Sequence, residues 1–84
     1  MTHSKMVNVM RAQFENLIIL EVSFPKGKIQ VNLSDGRSVA LPLSWFPKLE
    51  KADQVSLSDF ELSPHGHGIH WPKIDEDISI KAFI

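Results

Sequence analysis

Alternating apolar and polar positions dominate the first half of the chain. An apolar run over residues 17–24 is followed by a proline and a glycine, which favour a turn. Over residues 28–34 every second residue is apolar, the pattern of a strand with one buried face and one hydrated face. The dipeptide Asp35-Gly36 tolerates the positive φ angles of a hairpin turn, and the period of two continues after it. The pattern predicts a three-stranded antiparallel meander over residues 17–41.

Helical spacing replaces the alternation after this meander. Ser44 can cap a helix whose first turn accepts Pro47, which predicts a short helix over residues 45–51. Residues 53–59 are ambiguous, and an apolar spacing of three favours a further helical turn there. The helices are expected to cover one face of the sheet, and the predicted fold class is α+β.

The C-terminal part of the chain is punctuated by residues that bend the backbone. Residues 62–71 contain Pro64, Gly66 and Gly68, which predict a glycine-bent segment leading into a short extended stretch. Apolar residues near the end of the chain are expected to pack back onto the core: Ile78, Ile80, Phe83 and Ile84.

The N-terminal residues 1–16 are predicted to form an extension of a single domain at residues 17–84. Apolar residues recur in the extension every three or four positions, which favours a helix over residues 4–15. A strand or a disordered lead-in fits the same pattern.

Composition narrows the classes of function. With 84 residues, 43% of them hydrophobic, the chain has room for one modest core. A net charge of −1 disfavours nucleic acid as a ligand, and the absence of cysteine excludes disulfides, thiolate metal sites and cysteine nucleophiles. The sequence lacks a secretory pattern and lacks the roughly 18 consecutive apolar residues of a membrane span. A cytoplasmic protein without a membrane partner is therefore expected.

Three histidines close together raise the question of a metal site. His65, His67 and His70 could bind zinc or nickel, with Asp75 or Asp77 completing the ligand set. On an extended strand, however, the first two histidines share one face while the third points the other way. We therefore expect solvated loop histidines and one packed histidine, and neither a bound metal nor a cofactor.

His70 beside Asp75 or Asp77 is also a candidate acid–base pair, because a carboxylate can fix the tautomer of an imidazole. No nucleophile motif and no phosphate-binding loop accompanies it. We expect a structural hydrogen bond that satisfies a buried imidazole, and we expect no enzymatic activity.

Aromatic residues in so short a chain are expected to serve the core. This prediction applies to Trp45, Phe46 and Trp71. Exposure of either tryptophan would instead indicate a hot spot of a protein interface.

The acidic run Asp75, Glu76, Asp77 follows a proline and does not have the spacing of a calcium loop. The favoured interpretation is that these carboxylates cap a short last helical turn. The alternative is an acidic edge that docks a basic partner.

Two longer motifs resemble a known family. LPLSWFPKL at residues 41–49 and GHGIHWPKIDEDISI at residues 66–80, with DGR at residues 35–37, are similar to the small bacterial proteins of domain of unknown function family 2442. The resemblance covers about residues 18–84. It implies a small α+β domain and a set of signature residues: Gly66, Gly68, His70, Trp71, Asp75, Glu76 and Asp77.

The resemblance also implies a protein partner, because genes of this family often lie beside other small genes in the manner of toxin and antitoxin pairs. Two departures from the family pattern stand out. His65 and His67 lie where the family has no fixed histidine, and residues 51–62 replace a more polar helix.

The expected function is that of a small non-enzymatic protein-interaction module, an antitoxin-like protein or another inhibitor of a protein partner. Trp45 and the signature residues are the candidate interaction surface. One alternative is a subunit that forms a homodimer through an edge strand. The other is a metal-binding protein or enzyme based on the histidines.

Overall fold

The computed structural model describes residues 16–84, and two antiparallel sheets of three strands each form its framework. The first sheet has the order β1-β2-β3 and the second has the order β4-β5-β6. Their bounds are Ile19–Ser23, Lys28–Leu33, Ser38–Pro42, Glu61–Leu62, Gly68–Trp71 and Glu76–Ser79. The helices α1 and α2 lie between the sheets in sequence, at Pro47–Lys51 and Gln54–Ser58. The predicted α+β class is confirmed, and residues 1–15 of the predicted N-terminal extension lie outside the described residues.

The first strand contains a β-bulge, in which one extra residue changes the face of the sheet toward which the following side chains point. The register with β2 shifts between Ile19 and Glu21, which leaves Leu20 as an extra residue. Ile19 and Val22 are three residues apart and would face opposite sides of a regular strand, but the bulge lets both pack into the core. Leu20 itself remains 54% exposed.

The opposite face of the first sheet is polar and is organised by a row of hydrogen bonds across the strands. Asn32 Nδ2 donates to Glu21 Oε1 at 2.7 Å, and Ser38 Oγ donates to Asn32 Oδ1 at 2.7 Å. The amide thus links all three strands on the hydrated side. The alternation predicted from the sequence for β2 is the alternation found, with Ile29, Val31 and Leu33 buried.

The turn between β2 and β3 is built by the predicted Asp-Gly pair. Gly36 has a φ of 95°, which an L-residue rarely adopts. The Asp35 carboxylate accepts hydrogen bonds from the Arg37 backbone N–H at 3.0 Å and from Arg37 Nε at 2.7 Å. The backbone hydrogen bond is the main cause that holds the pKa of Asp35 below its usual value.

The first helix begins later than the sequence predicts. A 3₁₀ turn, Leu43–Trp45, follows β3, and α1 then starts at Pro47 with Phe46 as its N-cap residue. The predicted capping role of Ser44 is wrong, because Ser44 lies inside the 3₁₀ turn, and the first helix has no side-chain cap. Proline at the first helical position is as predicted, since that position needs no N–H.

The ambiguous residues 53–59 do form a helix. The Asp53 carboxylate accepts a hydrogen bond from the Ser56 backbone N–H at 2.7 Å, which caps α2. This hydrogen bond is the main cause that lowers the pKa of Asp53.

The second sheet is absent from the sequence prediction. Residues 62–71 contribute an edge strand and a loop before they enter β5, and the acidic run enters β6 where a helical turn was predicted. A second 3₁₀ turn, Ile80–Phe83, follows β6 and is capped by Ser79, which accepts from the Lys81 backbone N–H at 3.1 Å.

Both sheets contribute to one buried cluster. Its members are Leu17, Ile19, Ile29, Val31, Leu33, Leu49, Leu57, Ile69, Trp71, Ile78, Ile80 and Phe83. Phe60 lies 6.1 Å from Phe24 and 6.3 Å from Trp71 between ring centroids, and thus connects the first turn of the chain to the second sheet. The prediction that Ile84 packs on the core is wrong, since it is 54% exposed.

Candidate functional site

The GIHWPKIDEDIS motif forms the hairpin of β5 and β6. Successive residues of a strand face opposite sides, so Ile69 and Trp71 point into the core while Gly68 and His70 belong to the outer face. Across the hairpin, His70 pairs with Asp77 and Gly68 pairs with Ser79. The motif therefore has a core side and a solvent side.

Trp71 is the anchor of the core side. Its side chain is fully buried, and its Nε1–H donates to the Leu57 carbonyl oxygen at 2.9 Å. Leu57 lies in the last turn of α2, where carbonyl groups lack partners within the helix. The indole thus fills the core, as predicted for a packed tryptophan, and also donates a hydrogen bond to a carbonyl group in the last turn of α2.

His70 and Asp77 form a hydrogen-bonded pair on the solvent side. His70 Nδ1 lies 2.8 Å from Asp77 Oδ1, and the two side chains are 39% and 75% exposed. The expectation of a buried imidazole is wrong, because strand parity places His70 on the outer face. With the proton on Nδ1 the ring donates to Asp77, and Nε2 is left as a proton acceptor.

Glu61 was missed by the sequence prediction and belongs to the same row. It pairs directly with His70 from β4, so that a carboxyl-bearing residue lies on each side of the histidine. Only the pairing of β4 with β5 reveals this relation, since Glu61 and His70 are nine positions apart in the sequence.

A shallow depression of about 280 Å³ lies beside this row. Its lining includes Ser63, Gly68, His70, Asp77 and Ser79. The Ser63 hydroxyl accepts hydrogen bonds from the backbone N–H groups of His67 and Gly68, at 3.0 and 3.1 Å. These bonds fix the loop that enters β5.

Gly66 connects this loop to the first sheet. It adopts a φ of 71°, and a Cβ at this position would lie 2.8 Å from the Ile18 Cβ. Its carbonyl oxygen accepts a hydrogen bond from the Ile19 backbone N–H at 2.8 Å. The glycine of the motif is therefore required for docking the two sheets.

His65 and His67 are both exposed, and their ring centroids lie 6.2 Å apart. Within residues 16–84, no group of three histidine, cysteine or acidic side chains is arranged to hold a metal ion. The structure thus does not bring the three histidines into one ligand set.

The acidic run divides between a turn and a strand, so the predicted helix-capping role is wrong. Asp75 ends the hairpin loop with a φ of 49°, and its carbonyl oxygen accepts a hydrogen bond from Lys48 Nζ at 3.2 Å. Glu76 and Asp77 lie in β6, where the Asp77 backbone N–H donates to Glu76 Oε1 at 3.1 Å.

Trp45 contradicts the prediction that all the aromatics pack in the core. Its side chain is 65% exposed, while Phe46 beside it is half-buried. The reason is the 3₁₀ turn, which rotates consecutive residues onto different sides of the chain. Val55 on α2 is exposed to the same degree as Trp45.

Across the described part of the chain, none of the helices is long and apolar enough to cross a membrane. The outer face of the second sheet and the exposed Trp45 are two surfaces that other molecules can reach.

Comparison with other proteins places this geometry among uncharacterised relatives. A crystal structure of a protein of unknown function from Rhodospirillum rubrum ATCC 11170 is 25% identical, with a TM-score of 0.67 over 79% of this chain and 82% of that chain. A solution NMR structure of an uncharacterized protein from Chromobacterium violaceum is 21% identical, with a TM-score of 0.69 over 94% of this chain and 74% of that chain. No curated protein matches the chain. The profile of the family described as Protein of unknown function (DUF2442) matches residues 19–84, which include both sheets, and the chain therefore belongs to this family.

Proposed function

We propose that the protein is a small non-enzymatic interaction module that binds a protein partner through the surface around Trp45. The supporting observation is the 65% exposure of this tryptophan in a chain that buries its other tryptophan completely. Tryptophan is enriched at the centres of protein interfaces, because its large apolar surface gains most when a partner covers it.

The neighbours of Trp45 explain why its exposure is informative. Leu43 and Phe46 pack against the core cluster, and Leu49 in α1 is buried. The local core is thus complete without the indole, whose burial would gain apolar contact area only from another molecule.

Inhibition by coverage, as antitoxins inhibit their toxins, is the form of this function that we favour. It requires a surface and no reacting group. The alternative is an enzyme that uses His70 as a base. The Asp77 carboxylate does contact Nδ1 of His70, but no hydroxyl of residues 16–84 forms a hydrogen bond with its Nε2. A hydrolytic site would need such a nucleophile within reach of the base.

The test is affinity capture from the native host with three immobilised chains: wild type, Trp45→Ala and Leu20→Ala. Leu20 is the matched control, since it is also an exposed apolar residue. We expect one protein to be retained by wild type and by the Leu20 variant, and to be lost with the Trp45 variant. Circular dichroism melts should place both variants within about 0.5 kcal/mol of wild type. Retention that is equal on all three chains, or no specific retention at all, would contradict the proposal.

A further inference from the structure

The hydrogen bonds at the two ends of the β2–β3 ladder show which backbone groups of β3 point toward β2 and which point away from the sheet. The Leu33 N–H donates to the Arg37 carbonyl oxygen at 2.8 Å, and the Leu43 N–H donates to the Gly27 carbonyl oxygen at 3.0 Å. Hydrogen-bonded and non-hydrogen-bonded pairs alternate along an antiparallel ladder. The odd-numbered residues of β3 therefore direct their backbone groups toward β2, and the even-numbered residues direct theirs away from the sheet.

The outward-directed residues of β3 are Ser38, Ala40 and Pro42. No hydrogen bond found among residues 16–84 uses the backbone N–H or C=O of Ser38 or Ala40 on this side. Pro42 lies at a position where an N–H would point to solvent, so the proline costs the sheet no internal hydrogen bond. The Pro42 carbonyl oxygen already accepts the first hydrogen bond of the 3₁₀ turn, so it has one lone pair left. The edge thus offers two amide donors and two unused carbonyl acceptors, those of Ser38 and Ala40, to another strand.

The remaining edges of the two sheets are blocked by identifiable devices. In β1 the bulge at Leu20 disrupts the edge, and the Ile19 N–H is already bonded to Gly66. The edge strand β4 has two residues, and in β6 the Asp77 N–H is bonded to the Glu76 carboxylate. These three strands also carry acidic residues, whereas Ser38–Pro42 carries no charge.

We propose that β3 pairs with β3 of a second copy of this chain, antiparallel and about a two-fold axis at Ala40. The two first sheets would then join into one continuous sheet of six strands. This inference goes beyond the proposed function, because it concerns a different surface feature and a partner of known sequence.

The hydrogen bonds of the edge are self-complementary in this register. Ala40 exchanges both of its backbone hydrogen bonds with Ala40 of the partner subunit. The Ser38 N–H donates to the second lone pair of the Pro42 carbonyl oxygen of the partner subunit, and the symmetric bond forms on the other side. Because Pro42 is needed only as an acceptor, its missing N–H does not interrupt the four bonds. All five residues of β3 are paired, and no like charges face each other.

Side-chain burial supports the same pairing. Val39 and Leu41 face the core but are only half-buried, whereas Val31 and Ile29, their partners in β2, are fully buried. The proposed register places Val39 opposite Leu41 of the partner subunit, which covers the open side of both. On the outer face Ala40 is exposed and small, so the two strands can approach without a clash.

Sedimentation velocity of the full chain over about 10 µM to 1 mM tests the pairing. An interface formed mainly by two five-residue strands is small, so the dimer should be weak and should depend on concentration. We expect wild type to shift from monomer to dimer within this range. Ala40→Glu should abolish the dimer by placing two carboxylates across the axis. Ser23→Glu, on the same polar face but at the other edge of the sheet, should leave the dimer intact.

A mixture of Ala40→Glu and Ala40→Lys chains distinguishes repulsion at the two-fold axis from a loss of folding. Opposite charges at the axis should restore a heterodimer that neither variant forms alone, which a general loss of folding cannot imitate. A monomeric wild type at about 1 mM, an Ala40→Glu dimer as strong as wild type, or a mixture that stays monomeric would each overturn the inference.

The absence of cysteine from the chain allows a check of the register. In a hydrogen-bonded antiparallel pair the Cα atoms lie about 5.5 Å apart, within the range of a disulfide. Ala40→Cys should therefore form a disulfide-linked dimer faster than Ser23→Cys under the same oxidant. Equal rates would overturn the Ala40 register. The capture experiment with Trp45→Ala does not depend on this result, so the two proposals can fail separately.

Discussion

The two sheets of this domain are stabilised in different ways. The first sheet has strands of five or six residues, tight turns and regular alternation, and its stability comes from rows of aliphatic side chains. The second sheet has strands of two to four residues and depends on one large side chain, Trp71, and on a loop that only glycine can form. The first sheet thus distributes its burial over several aliphatic side chains, whereas the second sheet relies on Trp71 and Gly66.

The comparison is tested most strongly by Trp71→Ala. The substitution leaves a cavity in the core and removes the donor that satisfies the Leu57 carbonyl oxygen. We expect a loss of about 3–5 kcal/mol in the free energy of unfolding, measured by urea denaturation. Trp45→Ala is the control and should change stability by less than about 0.5 kcal/mol. A loss for Trp71→Ala as small as that expected for Trp45→Ala would show that the second sheet does not depend on Trp71.

Gly66→Ala is expected to have the next largest effect. An alanine must adopt a φ of 71° and must also displace Ile18, whose Cβ would lie 2.8 Å away. We expect a loss of about 2–4 kcal/mol. Gly36→Ala is the matched control, since Gly36 also has a positive φ but no neighbour within 4 Å. Its loss should be about 1–2 kcal/mol, and a loss as large as that of Gly66→Ala would contradict the role of close packing.

His70→Ala separates the two sides of the motif. His70 follows Ile69 and precedes Trp71, yet it lies on the hydrated face and pairs with an exposed carboxylate. We expect its replacement to lower the free energy of unfolding by less than about 1 kcal/mol. In thermal and urea denaturation this loss should be several-fold smaller than the loss caused by Trp71→Ala. A loss near that of Trp71→Ala would mean that the imidazole has a structural role that its exposure does not reveal.

The smallest predicted effect is the pH dependence contributed by Asp53. Its pKa is lowered in the folded chain by the hydrogen bond from the Ser56 N–H, relative to the ordinary value of 3.8. The carboxylate therefore stabilises the fold above pH 3.8, and this contribution is lost as pH falls through the lower pKa of the folded state. Asp53→Asn keeps a capping acceptor but does not titrate. Wild type should lose more stability than the variant between neutral pH and acid, measured by melts at matched ionic strength; parallel curves would exclude the capping contribution.

Sequence reasoning succeeded where structure is local and periodic. The alternation in β2 and the Asp-Gly turn depend on neighbours in the chain, and both could be predicted. The exposure of Trp45 could not, because it follows from a 3₁₀ turn that no residue type specifies. The pairing of Glu61 with His70 also required the fold, since β4 has only two residues and no detectable period. The direction of His70 would have followed from strand parity, had residues 68–71 been recognised as a strand with Trp71 inside.

The contrast between the two tryptophans gives the protein a pair of built-in optical reporters. The chain has no tyrosine, so its near-ultraviolet emission comes from Trp45 and Trp71 alone. Trp71, enclosed by the core, emits from an apolar environment and reports unfolding, whereas Trp45, in contact with water, reports whatever covers the surface. A Trp45→Phe chain would follow folding by itself, and the difference between its spectrum and that of wild type would isolate the signal of binding.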